Sequence, residues 1–281
     1  MTNNWTSVID SKNKLMDLKL RDLWQYRDLI AMLVRRDFVA VYKQTVLGPL
    51  WHIFQPLFTT IVFTVVFGQI AKLPTNGMPQ VLFYMTGTVM WGYFAPCLTQ
   101  TSNTFVANAG IFGKVYFPRL VIPVATVLTQ LIAFAIQFCM LVCFWLYFYF
   151  SDSQISLNVW ALALPLLIIQ MALLGLGCGI IVSSLTTKYR DLSLLVTFGV
   201  QLWMYATPVV YPLSLVPTDY QWLLLINPMT AIIEIFRHGM LGGVLQMPLQ
   251  FWLYSWLETL LLLFFGLIMF NRVEKNFMDT V

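Results

Sequence analysis

Charge is what this sequence has least of. Only 10% of its 281 residues are Asp, Glu, Lys or Arg, while 59% are hydrophobic. A water-soluble domain carries roughly 25% charged residues, so this chain cannot cover itself in water and reads as an integral membrane protein. Histidine is scarcer still, with His52 and His238 alone. The single Gly-Lys pair, Gly113-Lys114, is followed by Val115, which excludes a P-loop for nucleotide phosphates. A membrane transferase or protease needs acids, histidines or a nucleophile clustered on a cavity, and no such cluster is legible. The four cysteines, Cys97, Cys139, Cys143 and Cys178, are scattered in apolar segments without Cys-x-x-Cys spacing. They read as small buried hydrophobes, and no metal site is expected. A polar, charged N-terminal stretch gives no cleavable signal peptide.

What the chain does have is a junction. Residues 1–21 are polar and expected to be loosely ordered. Residues 22–43 show helical periodicity, with Leu23, Tyr26, Ile30, Leu33, Val34 and Val41 on one face and Gln25, Asp28, Arg35, Arg36 and Lys43 on the other. A basic amphipathic helix running into a spanning segment reads as a helix lying in the membrane interface. Asp37 interrupts its apolar face and needs a partner, either a neighbouring arginine or another protein. Leu47-Gly48-Pro49 then reads as a hinge into the remainder, 44–281.

That remainder holds six apolar segments of spanning length, each needing about 20 residues: 50–71, 81–106, 120–150, 158–185, 192–213 and 249–270. Gly175-x-Gly177-x-Gly179 in the fourth is spaced for close helix–helix approach. The fold class expected is therefore an all-α membrane protein of six transmembrane helices. With the N-terminus inside, fourteen of the sixteen Lys and Arg are cytoplasmic and only Lys72 and Arg237 are outside, so the positive-inside rule puts both termini in the cytoplasm. Thr207-Pro-Val-Val-Tyr-Pro212 cannot continue as a straight helix. Residues 208–247 are expected to form short re-entrant outer helices, with Asn227 capping a helix that opens on Pro228. Within it, Glu234 and His238 have the spacing to share a metal, but a surface ion pair of Glu234 with Arg237 is the better reading.

The spans offer aromatics and neutral polar groups: Trp51, Phe54, Gln55, Phe58 and Thr59; Trp91, Tyr93, Thr99, Gln100, Ser102 and Asn103; Gln201, Trp203, Tyr205 and Tyr211. Rings with polar handles suit an amphipathic or sugar-like substrate, and equally suit interfacial belts and helix packing. Glu258 is the clear mid-membrane acid, either a proton-coupling group or a structural one.

Four stretches, in order along the chain, carry a family resemblance. They are Tyr42-Lys-Gln-Thr-Val-Leu-Gly-Pro-Leu-Trp51 with Gln55-Pro-Leu57; Asn108-Ala-Gly-Ile-Phe-Gly-Lys-Val-Tyr-Phe-Pro-Arg119 with Pro123; Lys188-Tyr-Arg-Asp191; and Tyr211-Pro212 with Asn227-Pro-Met229. Together the chain resembles the permeases of type-2 ABC exporters for polysaccharides, the Wzm/TagG/KpsM-like group. The resemblance implies a homodimer in the bacterial inner membrane that works with two cytoplasmic ATPase chains. Those chains bind ATP and Mg, leaving no cofactor on this one and no role for nucleic acid. It implies ATPase coupling through the interface helix (Arg35, Arg36, Asp37) and the loop after the second span (Lys114, Tyr116, Phe117, Pro118, Arg119). A pathway for a polyprenyl-pyrophosphate-linked glycan would be lined by Trp51, Phe54, Phe58, Tyr93, Trp203 and Tyr205. An outer gate would contain Tyr211, Pro212, Asn227, Pro228, Glu234 and Arg237. The alternatives are a type-2 ABC permease for a drug or lipid, a proton-coupled secondary transporter using Glu258, and, less in keeping with the missing catalytic cluster, a membrane transferase. No soluble carbohydrate-binding domain is expected on this chain.

Overall fold

The computed structural model describes residues 20–43, 45–112, 114–115, 117–151, 155–189 and 191–276. Helices account for the regular structure among them. The N-terminal segment forms α1 (Leu20–Gln25) and α2 (Arg27–Tyr42), separated by a single turn at Tyr26. The spanning-length helices follow. The first is α3 (Trp51–Phe63), opened by a 3-10 turn at Gly48–Leu50 and extended by a π-helical stretch, Thr64–Ile70. After it come α4 (Gln80–Thr101), the short α5 (Thr104–Phe112) and α6 (Val121–Phe150); α7 (Leu164–Thr186) continues a 3-10 stretch, Val159–Ala163. The chain ends with α8 (Leu192–Tyr205), α9 (Thr218–Leu225), α10 (Pro228–Leu241) and α11 (Gln250–Asn276).

Among the described residues, five helical segments are long and apolar enough to cross a membrane: Gly48–Ile70, Gln80–Thr101, Val121–Phe150, Val159–Thr186 and Gln250–Glu274. The fifth expected segment is shorter than its hydropathy suggests. Helix α8 stops at Tyr205 rather than reaching 213, because Pro208 and Pro212 remove backbone donors and clash with a continuing turn. The second segment also divides. Ser102 Oγ donates to Thr99 O at 2.6 Å and Thr104 Oγ1 to Thr101 O at 2.7 Å, so side-chain hydroxyls compete with the backbone ladder where the helix breaks at 102–103.

Helix α4 is the enclosed mast of the bundle. Leu82, Tyr84, Met85, Val89, Phe94 and Cys97 are all buried, packed with Met171 and Leu174 of α7 and with Ile232 and Phe236 of α10. The glycine series of α7 explains how it fits beside two neighbours at once. A Cβ at Gly175 or Gly179 would strike α4 at Cys97 and Thr101, while one at Gly177 would lie 2.9 Å from the Cα of Leu263 on α11. Residues 175 and 179 thus face one partner and 177 the other, and small residues let both backbones close in. A polar tie spans the same helices: Trp252 Nε1 donates to Gln170 Oε1, Gln170 Nε2 to Ser255 Oγ, and Ser255 Oγ to Pro228 O.

A second apolar cluster lies at the opposite end. It joins Leu33 of α2, Phe105 and Phe112 of α5, Phe117, Val121, Ile122 and Ala125 of the loop and α6, Ile180 of α7 and Phe270 of α11. The apolar face read from the N-terminal periodicity is the face that packs here, with Leu23, Tyr26, Ile30 and Val34 against the cluster. Val41 is the exception and is exposed.

Candidate functional site: a polar groove between the spans

The hinge at residues 47–49 aims α3. Gly48 has φ +51, a left-handed conformation that side-chain-bearing residues adopt only with strain, and Pro49 starts the next turn. Across this bend the Tyr42 hydroxyl meets His52 Nε2, and the two rings pack edge to face. The end of the N-terminal helix is therefore fastened to the first turn of the first span.

From there a groove runs along the inner side of α3. A cavity of about 410 Å³ is lined by His52, Gln55, Pro56 and Thr59 of α3, Thr88, Trp91, Gly92, Ala95, Pro96 and Gln100 of α4, Gln130, Ala133 and Gln137 of α6, and Met204 of α8. A neighbouring one of about 420 Å³ shares Trp91, Ala95, Pro96 and Met204 and adds Thr99, Thr197, Val200, Gln201 and Tyr205. Together they form one trough between α3, α4, α6 and α8. Its polar groups are amides and hydroxyls, with the His52 imidazole and the Tyr205 phenol the titratable members of the lining. Gln130 Nε2 donates to Gln100 Oε1 at 2.8 Å. Gln137 is buried with its Oε1 lacking a hydrogen-bond partner, and this oxygen points at Gly92, 2.8 Å from where a Cβ would be.

Such a lining has a definite chemistry. Amide and hydroxyl groups exchange hydrogen bonds with water or with sugar hydroxyls without demanding charge, and Trp91 and Tyr205 add ring faces for C–H groups. In a bilayer, polar groups of this kind are tolerated when they line a wet cavity. The trough is equipped to pass something neutral and hydroxyl-rich.

The aromatics chosen from sequence divide around it. Tyr205 lines the trough, and Trp51, Phe58 and Tyr205 are all more than half exposed, with Phe54 and Phe58 stacked at 6.2 Å. Trp203 turns the other way, edge-on to Trp91 and Phe94 over an apolar cleft with Leu98 and Leu262. Tyr93 is 1% exposed and packed on Phe134 inside the bundle, so its ring is core rather than lining. Gln130 and Gln137 went unnoticed in the sequence, although their spacing of seven in an otherwise apolar helix puts them on one face.

The basic end carries the expected coupling residues. Asp37 finds its partner within the chain, 2.7 Å from Arg36. Lys114 is exposed, and Tyr116 lies outside the described residues. Phe117 is buried and Pro118 half-buried. Arg119 is an internal tie: its Nη1 donates to Glu274 O at 2.8 Å, its backbone N–H reaches Glu274 Oε1 at 3.5 Å, and its guanidinium lies over Phe112. Burial draws this guanidinium below its ordinary value, and the Glu274 carboxylate pulls it back up.

The opposite end corrects a sequence reading. Glu234 and Arg237 do pair, at 3.7 Å, but they are buried, only 6% and 2% exposed, rather than lying at the surface. The reason is the broken end of α8. Arg237 donates to Pro208 O at 2.5 Å and Val209 O at 2.6 Å, reaches Phe83 O and Thr86 Oγ1, and lies over the Phe83 ring. It occupies carbonyls that the proline-interrupted helix leaves open. Both His238 nitrogens are engaged elsewhere, with Asn158 and with Gly243 O. Asn227 caps α10 as expected, accepting from Met229 N, and its amide reaches Thr207 Oγ1. Tyr211 donates to Tyr205 O, and Pro212 is buried.

Comparison with known proteins bears on the same elements. The chain is 29% identical to the O-antigen export system permease protein RfbA of Klebsiella pneumoniae over 265 residues, 94% of this chain and 99% of that one. It is 27% identical over 222 residues to the RfbA permease of Myxococcus xanthus, covering 78% and 82%. It is 22% identical over 237 residues to the polysialic acid transport protein KpsM of Escherichia coli, covering 82% and 87%. The model of the ABC-2 type transporter family matches residues 28–241, from the N-terminal helix through α10, and the chain belongs to that family.

Proposed function

We propose that this chain is the membrane subunit of an ATP-driven exporter that moves polyprenyl-pyrophosphate-linked polysaccharide, O-antigen or a similar surface glycan, across the bacterial inner membrane. The observation that carries this reading is the uncharged amide-and-hydroxyl trough between α3, α4, α6 and α8. The near full-length similarity to O-antigen export permeases supports it. Two copies stand side by side with their troughs and exposed α3 and α8 faces toward a common pathway. The chain crosses the bilayer six times, α8 with the chain to Pro212 making the fifth crossing, and both termini face the ATPases.

ATP, with Mg, is bound and hydrolysed by two partner ATPase chains. They push on α2 near Arg36 and Asp37 and on the loop Lys114–Arg119. Arg119 and the aromatic cluster of Phe105, Phe112, Phe117 and Phe270 transmit that push to α11 as a rigid unit. The outer helices α9 and α10 form the far gate, locked to α4 and α8 through Arg237.

Two measurements test this. Mild-detergent purification should recover a stoichiometric ATPase. A strain lacking the chain should accumulate lipid-linked polymer on the cytoplasmic side. Recovery of the chain without an ATPase, together with transport lost in Glu258→Gln, would instead support a proton-coupled transporter.

A further inference from the structure

A second groove, separate from the trough, lies between the N-terminal helices and the third span. It measures about 740 Å³. At about 30 Å³ for a water, that is room for an object of roughly 25 water-sized groups. One wall is Trp24, Ala31 and Phe38; the other is Val124, Leu128 and Ile132 of α6. Two arginines, Arg27 and Arg35, also line it. They are eight residues apart on one helix face, about 12 Å along the axis.

Three observations bear on what fills it. The α6 wall begins three residues into a spanning helix and runs to Ile132, about 16 Å along it, a depth no water-soluble partner reaches. The walls are almost wholly apolar, and Trp24 and Leu128 are exposed in the isolated chain, so the groove is open at bilayer level. Arg35 has no ion pair among the described residues, and Arg27 has only a 3.9 Å approach to solvent-exposed Asp28 beside its stacking on Trp24, a contact of little strength. A deep apolar slot under two cations, one free and one weakly held, matches one ligand: an acyl chain below a phosphate. Basic pockets at the interfacial ends of spanning helices hold anionic headgroups in this way.

We propose that this groove is a binding site for an anionic phospholipid, with one acyl chain between α2 and α6 and its phosphate between Arg27 and Arg35. Arg35 then belongs to the lipid site, and Arg36 with Asp37 is left to face the ATPase. Because α2 also packs through Leu33 onto the cluster containing Phe112 and Phe270, a lipid wedged beneath it sets the tilt of the helix. The site would make export dependent on acidic lipid.

The test uses the full-length chain reconstituted in vesicles of phosphatidylethanolamine and phosphatidylglycerol, extracted in mild detergent and weighed by native mass spectrometry. Phosphatidylglycerol should stay bound in preference to phosphatidylethanolamine. Arg27→Gln with Arg35→Gln should lower its retention about twenty-fivefold, at about fivefold per arginine. Ala31→Trp, which fills the slot and keeps both charges, should lower it as well. Each variant is compared at unchanged gel-filtration profile and melting temperature. Equal retention of the two lipids, or phosphatidylglycerol retention unchanged in both variants, overturns the proposal. So does a photoreactive residue at position 128 that crosslinks to a second copy or to the ATPase instead of to lipid.

Discussion

Arg237 is a buried cation that holds a broken helix. It is surrounded by carbonyls from Pro208, Val209 and Phe83, by Thr86, by the Phe83 ring and by Glu234. Removing one partner of a buried pair leaves the other charge uncompensated, at a cost of about 3–5 kcal/mol. Arg237→Ala is therefore expected to drop the detergent-solubilised melting temperature steeply. Glu234→Gln should do less harm, because the guanidinium keeps its carbonyl acceptors. Equal losses in the two variants would mean the ion pair, not the carbonyl set, holds the site. Gln137 shows a different residue-scale feature, an amide oxygen left without a partner beside Gly92, and a sugar hydroxyl or water reaching it would supply the missing donor.

At the scale of elements, two glycines set how helices meet. Gly48 bends the chain from α2 into α3 at φ +51. Gly48→Ala is expected to cost about 1–2 kcal/mol through backbone strain alone, since its Cβ would point into open space. Gly177 holds α7 against α11, where even a methyl would lie 2.9 Å from Leu263 Cα. Overpacking of this kind costs about 1–3 kcal/mol, so Gly177→Ala should lower the melting temperature. At Gly199 an added Cβ meets nothing within 4 Å, so Gly199→Ala should leave it unchanged. Comparing the pair separates helix packing from a general intolerance of alanine. Five of the spanning segments, the cap at Asn227 and the packing role of the glycines were legible in the sequence because each has a local signature. The break at 102–103 depends on hydroxyl side chains competing with the backbone ladder, and the end of α8 at Tyr205 on the prolines beyond it; hydropathy registers neither.

At the scale of the molecule, the basic end is joined to α11 through one aromatic cluster and the Arg119–Glu274 tie. Arg119→Ala should leave the ATPase bound and hydrolysing ATP while export falls, measured as polymer crossing in reconstituted vesicles. Loss of ATPase binding itself would make Arg119 a contact residue rather than a transmitter. Thr59→Trp, at the wall of the trough, should reduce export without altering ATPase association. If export of long polymer is unchanged, the trough is not the path. Glu258 is half-buried on α11 and has no hydrogen bond or ion pair among the described residues. Under the proposed function, Glu258→Gln exports normally.

Sequence alone determined the membrane class, the positions of the apolar segments, the amphipathic N-terminal helix and the family resemblance, because composition, period and short motifs are local properties. Tertiary structure alone decided which polar side chains share a cavity. The aromatics singled out by type scattered between core, cleft and trough, while Gln100, Gln130 and Gln137 came together from two helices. It also decided that the Glu234–Arg237 pair is buried. Spacing of three residues announces a pair on a helix face but not what that face meets, and here it meets the open carbonyls of another helix's broken end.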